Sequence, residues 1–147
     1  NIRVLGLIPV VDSKGPEMRV SDTTTLLNDM CFLAPGSLID PRIVWEPIDS
    51  RMAKASLNNN GCIVSAILHF NEKGELVNFI SDHRYRGPLD DGSFKKTRWS
   101  TPIGDYKETN GVKFPTYAEA VWHLEDGEFC YARFNMKEVE YNNTSLR

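Results

Sequence analysis

No run of apolar residues in this chain approaches the ~20 needed to span a bilayer, and no signal-peptide pattern opens it, so no membrane span is expected. Nucleophile elbows, phosphate-binding glycine loops and clustered metal ligands are missing too, which leaves no motif for a cofactor, and none is expected. Charge of one sign is also lacking. Seventeen Lys and Arg stand against 20 Asp and Glu, a net −3, too even for a polyanion-binding stripe, so no nucleic-acid partner is expected. Cysteine is scarce. Cys31, Cys62 and Cys130 are an odd number at wide spacing, which fits neither a disulfide framework nor a zinc site and reads as three small buried thiols.

What is present suits one ordinary globular domain. The chain has 147 residues, 41% of them hydrophobic and 25% charged, enough to bury a sizeable core as a single β-rich domain over residues 1–147. The first residue is Asn1, and Ile2 to Val11 already reads as a strand covered on both faces, bent at Gly6 and Pro9. Further N-terminal strands are therefore expected upstream. The domain reads as soluble, with the compartment open between cytoplasm and cell envelope.

The stretch Arg98 to Tyr131 organises the rest. Asn110-Gly111 and Asp126-Gly127 are dipeptides that accept the positive φ of two-residue hairpin turns, each flanked by aromatic and β-branched runs. Counting outward from them places Trp99 opposite Trp122, Trp122 opposite Tyr131, and His123 opposite Cys130. A second meander precedes it. Asn60-Gly61 pairs Leu57 with Val64, Ala55 with Ala66 and Ala53 with Leu68, and Lys73-Gly74 pairs Leu68 with Phe79 and Phe70 with Val77. The two registers agree on one apolar face, which a one-residue slip would scramble. Ile63, Ile67 and Ile80 fall on the opposite face, which therefore also asks for cover.

One helix is expected near residues 22–33, N-capped at Ser21-Asp22 after a loop from Asp12 to Val20, with Leu26, Leu27, Met30 and Leu33 as its apolar stripe and Ala34-Pro35-Gly36 as its stop. Strands are expected at Arg42 to Ile48, Arg51 to Leu57, Cys62 to Phe70, Leu76 to Tyr85 and Glu128 to about Tyr141, the last followed by a polar tail. Gly87 to Thr97 has the composition of an exposed loop and is the candidate for a mobile lid. The fold class is α+β, mainly antiparallel β. A curved meander of about seven or eight strands, an open half-barrel, carries the one main helix against it.

The chemistry is sparse. His83 and Tyr85, continued along the Leu76 to Tyr85 strand, fall on the apolar face, where an imidazole and a phenol need polar partners or a wet cavity. His123 facing Cys130 beside Arg98 sketches a thiolate pair, but a mid-strand cysteine has neither an oxyanion pocket nor an exposed loop to act from. Large rings at Trp45, Phe79, Trp99, Trp122 and Tyr131 beside small residues at Ala53, Ala55, Ala66, Ala118 and Ala120 leave room on a concave face for a helix or an apolar ligand.

The segments GLIPVVDSKGPEM, LNDMCFLAPGSLIDPRIVWEPID and SAILHFNEKGEL, and above all RWSTPIGDYKETNGVKFPTYAEAVWHLEDGEFCYARF, resemble the C-terminal part of a family of uncharacterised, mostly bacterial proteins known as a domain of unknown function. The recurring pattern of that family is occupied here by Trp99, Tyr106, Gly111, Pro115, Glu119, Trp122, Asp126, Gly127 and Tyr131. The resemblance implies fold and boundaries and carries no chemistry. More faintly, the order of the late hairpin is similar to the lipoprotein-carrier half-barrels of the bacterial envelope, which hold acyl chains in a curved sheet.

The expected function is a non-enzymatic module binding a hydrophobic or amphipathic, lipid-like small molecule through Trp45, Phe79, His83, Tyr85, Trp99, Trp122 and Tyr131. The alternatives are a hydrolase centred on His83, with Tyr85 and Glu46 or Asp105 as polar partners, and a structural domain whose rings fill its core. Another copy of the chain, or the upstream segment, is the expected macromolecular partner.

Overall fold

The computed structural model describes residues 2–4, 8–11, 15–109 and 111–139. The turn residue Asn110 and the polar tail from residue 140 lie outside them. Seven strands form one antiparallel meander in strict chain order: β3 (Ile43–Pro47), β4 (Met52–Asn59), β5 (Cys62–Phe70), β6 (Leu76–Ser81), β9 (Trp99–Thr109), β10 (Val112–Leu124) and β11 (Gly127–Asn135). The sheet is curved and not closed into a barrel, so the class is α+β. Between β6 and β9 the chain leaves the sheet to form the small pair β7 (Tyr85–Arg86) and β8 (Lys95–Lys96). Gly87 to Thr97 is therefore not all loop, since its last turn pairs back on β7.

At the N-terminus, β1 (Ile2–Val4) and β2 (Ile8–Val11) pair with each other as a separate antiparallel sheet. The single strand expected over Ile2 to Val11 is thus a hairpin that supplies its own partner.

The register expected from Asn60-Gly61 holds where both turn residues reach positive φ. Asn60 and Gly61 do so at 51° and 83°, and Leu57↔Val64, Ala55↔Ala66 and Ala53↔Leu68 follow. Trp99 lies opposite Trp122, as counting from Asn110-Gly111 requires, and Pro102 is paired with Asn78 on the β6 side. Two registers differ. The Asn71 side chain accepts from the Lys73 and Glu75 amides, which lengthens that turn, and a bulge sets Phe70 against Leu76 instead of Val77. In the last hairpin the turn residues are Glu125 and Asp126, with Gly127, at φ 130°, already opposite Leu124. Trp122 therefore faces Phe129, and His123 faces Glu128 rather than Cys130.

The helix α1 (Pro16–Phe32) starts well before the expected residue 22. Gly15, at φ 142°, turns the chain and Pro16 occupies the first helical position, where its missing N–H costs nothing. Ser21-Asp22 is thus mid-helix and not a cap. Its buried face is Ser21, Thr23, Thr24, Leu27, Asn28, Met30 and Cys31, while Leu26 and Leu33 of the expected stripe are exposed. Half of that face is polar, and its hydroxyls are matched locally: Thr23, Thr24 and Thr25 donate to the carbonyls of Arg19, Val20 and Ser21. A short 3-10 turn (Pro35–Ile39) follows and leads into β3.

Leu27, Met30 and Cys31 pack on the sheet face formed by Ala55, Leu57, Val64, Ala66, Leu68 and Phe79, which is the core. At about 25 cal/mol per Å² of apolar area, closing this layer is the main favourable contribution to folding. Among the described residues no helix covers the opposite face: Ile63 is 65% exposed and Ile67 is also exposed. No helix among the described residues is long and apolar enough to cross a membrane.

Candidate ligand-binding site

α1 is narrower than the concave sheet, so space remains on both flanks. The first cavity, about 300 Å³, lies between α1 and β9–β11. Thr25, Asn28, Asp29, Phe32 and Leu33 line it from the helix, and Trp99, Thr101, Ala120, Tyr131 and Phe134 from the sheet. Its floor is a slab of rings. The Phe79 ring meets Trp99 edge-on at 6.0 Å and 71°, and Tyr131 stacks on Trp122 at 5.8 Å and 22°. That stack forms although Trp122 and Tyr131 are not cross-strand partners: the bulge between Ala120 and Val121 brings Tyr131 over Trp122. The Trp99 indole N–H also donates to the Tyr131 hydroxyl at 3.2 Å.

Arg84 enters this slab from the β6–β7 connection. Its guanidinium carbon lies 4.1 Å from the Trp99 ring centroid and 5.6 Å from that of Trp122. Burial lowers its pKa from the usual arginine value, partly offset by the nearby Tyr131, Asp22 and Asp29. Asp29, on the cavity wall, is raised chiefly by burial, against a hydrogen bond from Asn28 and the charge of Arg84. Two buried polar atoms of lining residues, Asn28 Oδ1 on the helix side and Thr101 Oγ1 on the sheet side, have no partner among the described residues, on side chains 4% and 2% exposed.

The second cavity, about 310 Å³, flanks the C-terminal end of α1 and is lined by Cys31, Leu38, Trp45, Phe70, Glu75 and Tyr106, with Phe32 shared between the two. Here the polar groups are matched. The Tyr106 hydroxyl donates to the Leu76 carbonyl at 2.9 Å, the Trp45 N–H points to the Leu38 carbonyl at 3.4 Å, and Glu75 pairs with Lys113.

Of the residues singled out from sequence, Trp99 and Tyr131 line the first cavity, with Trp122 behind them. Trp45 lies on edge strand β3 at the second, and Phe79 is 0% exposed in the core between. His83 and Tyr85 do not continue β6, because that strand stops at Ser81. The Ser65 amide donates to His83 Nδ1 at 3.1 Å, and the Ser65 carbonyl lies 3.3 Å from the same nitrogen. The Tyr85 amide donates to Ser21 Oγ at 2.9 Å, and Thr24 donates to the His83 carbonyl, so this segment ties α1 to the sheet. The carboxylates considered beside His83 lie elsewhere: Glu46 pairs with Lys54 at 2.9 Å, and Asp105 is exposed on β9.

Arg84 went unselected in the sequence because strand alternation from Leu76 to Tyr85 directs it away from the apolar face. The strand end at Ser81 cancels that alternation. A further array was invisible for the same kind of reason: His123 Nε2 lies 2.8 Å from Ser100 Oγ, and its Nδ1 lies 3.3 Å from Glu128. The order is that of a hydrolytic triad, yet Ser100 is 2% exposed near the start of β9, so its hydroxyl is closed to a substrate and the imidazole serves as its hydrogen-bond partner. Among the described residues there is no cluster of three His, Cys, Asp or Glu that could hold a metal ion.

The residues that carry the slab, Trp99, Trp122 and Tyr131, are among those on which the family resemblance rests. No curated protein and no solved structure gives a significant match to this chain. Residues 1–134 do match the model of the family of unknown function DUF6544, and the chain belongs to that family.

Proposed function

We propose that this chain is a small-molecule binding module whose site is the cavity between α1 and β9–β11. The observation that carries the reading is a preformed hollow of about 300 Å³ floored by packed aromatic rings, whose lining includes Arg84 and two residues with unpartnered buried polar atoms. Sites of this character are concave, largely apolar and supplied with a few placed polar atoms. The volume is at the small end of that range, which favours a compact aliphatic or aromatic ligand over a two-chain lipid. The hydrolytic alternative has less behind it: the His83 ring is engaged by Ser65, and Glu46 by Lys54.

Native mass spectrometry of the purified protein, followed by titration with short carboxylic acids, alcohols and arenes read by tryptophan fluorescence, tests this. Trp99 in the cavity wall should report occupancy. A protein that carries no small molecule and whose fluorescence is unmoved by the whole panel would refute the reading.

A further inference from the structure

Resting on that reading, we propose that the cavity takes an organic monocarboxylate, its apolar body on the Trp99–Tyr131 slab and its carboxylate on the edge of the Arg84 guanidinium. A guanidinium stacked on indole rings spends its face and leaves its in-plane N–H groups free, and those groups form the fork that matches a carboxylate bidentately. Arg84 meets that description. It lies on Trp99 and Trp122, and its side chain makes no hydrogen bond or ion pair among the described residues. A partly buried cation with no hydrogen-bond acceptor among the described residues keeps its donors open, so its presence on a cavity wall points to an anion that arrives from outside.

Two further groups fit the same ligand. Thr101 Oγ1 is buried with no partner and can donate to a carboxylate oxygen, while the Asn28 amide, whose Oδ1 is likewise unpartnered, can take a hydroxyl or amide N–H on the ligand body. Both atoms belong to residues that line the cavity. Charge sets the limit to one anionic group. The Arg84 cation is faced by Asp22, Asp29 and the Tyr131 phenol, and Glu119, paired with Arg133, also lines the cavity, so a dianion would meet several carboxylates with only Arg84 to hold it. Asp29, a source of repulsion on the helix side, is raised chiefly by burial and so gives up its charge more readily than an ordinary aspartate.

The test compares three probes of one shape, 3-phenylpropionate, its primary amide and 3-phenylpropylamine, by calorimetry on the wild-type chain and on the Arg84→Gln and Arg84→Lys variants. The acid should bind wild type at least roughly tenfold more tightly than the amide, about the value of a hydrogen bond to a charged group. Arg84→Gln should erase that preference and leave amide binding within about twofold. Arg84→Lys keeps the charge, guards against failure of the Gln variant to fold, and should retain part of the preference while losing the bidentate share. Equal or tighter binding of the amide or the amine overturns the carboxylate assignment while leaving the cavity a binding site. Failure of all three probes on folded wild type overturns both.

Discussion

Two cavities of nearly equal size flank the same helix on the same face of the same sheet, about 300 Å³ beside Trp99 and about 310 Å³ beside Trp45, yet they differ in what their walls leave undone. In the Trp45 cavity the tyrosine hydroxyl, the indole N–H and the acid all have partners within the protein. In the Trp99 cavity a hydroxyl, an amide oxygen and a guanidinium have no hydrogen-bond partner among the described residues. Volume is therefore a poor guide to function here. A gap with satisfied walls is what remains when one helix covers a wide curved sheet, whereas a gap with unsatisfied walls has been kept at a cost in stability, and that cost asks for a ligand.

The largest expected effect comes from the wall between the cavities. Phe79 is 0% exposed and supports the Trp99 ring, so Phe79→Ala should cost about 3–5 kcal/mol in urea unfolding. A loss below about 1 kcal/mol would mean that the core between the cavities is not close-packed, and the contrast between them would lose its basis. Next come two hydroxyl deletions that should act in opposite directions. Tyr106→Phe strands the Leu76 carbonyl and should cost about 1–2 kcal/mol, while Thr101→Val removes a buried hydroxyl that has no partner and should be neutral or stabilising by up to about 1 kcal/mol. Equal costs for the two would erase the distinction between satisfied and unsatisfied walls.

The pH dependence of stability should divide along the same line. Asp29, in the Trp99 cavity, has a raised pKa, so its contribution is complete below the ordinary carboxylate value and is lost as pH rises through the folded value. Glu75, in the Trp45 cavity, is lowered by its hydrogen bonds with Lys113 and Asn71, so its contribution is present above the ordinary value and is lost as pH falls through the folded one. Urea midpoints followed from about pH 3 to 7 should therefore shift in opposite senses in Asp29→Asn and Glu75→Gln relative to wild type. Parallel shifts in the two variants would count against the assignment of these carboxyls to unlike environments.

Much of the frame could be read from the sequence because it rests on turn chemistry. Counting from Asn60-Gly61 and Asn110-Gly111 gives the β4–β5 and β9–β10 registers, the Trp99–Trp122 pair among them, while the turns after Phe70 and Leu124 shift theirs. The helix was harder to read. Its buried face carries Ser21, Thr23, Thr24 and Asn28 beside Leu27 and Met30, so hydrophobic periodicity marked Leu26 and Leu33, which are exposed, and missed four polar positions that are covered. Gly15-Pro16 held the signal for its true start, as a glycine before a proline at the first helical position. The site depends on two irregularities that no period encodes: the end of β6 at Ser81, which turns Arg84 inward, and the bulge in β11, which lays Tyr131 on Trp122. Side chains that a strand pattern assigns to the wrong face become visible only once the strand is known to stop.

The smallest effect is chemical and leaves stability untouched. Cys31 lines the Trp45 cavity, and burial pushes its thiol up to about 12, so at neutral pH it holds its proton and is a poor nucleophile despite the open space beside it. Cys130 is half-buried on edge strand β11, and Cys62 is buried. Iodoacetamide applied to the native protein at neutral pH should therefore give one adduct, at Cys130, and three after unfolding in urea, as peptide mass spectrometry would read them. Early labelling of Cys31 would mean that the Trp45 cavity admits water and stabilises a thiolate, and that its walls are less complete than their hydrogen bonds indicate.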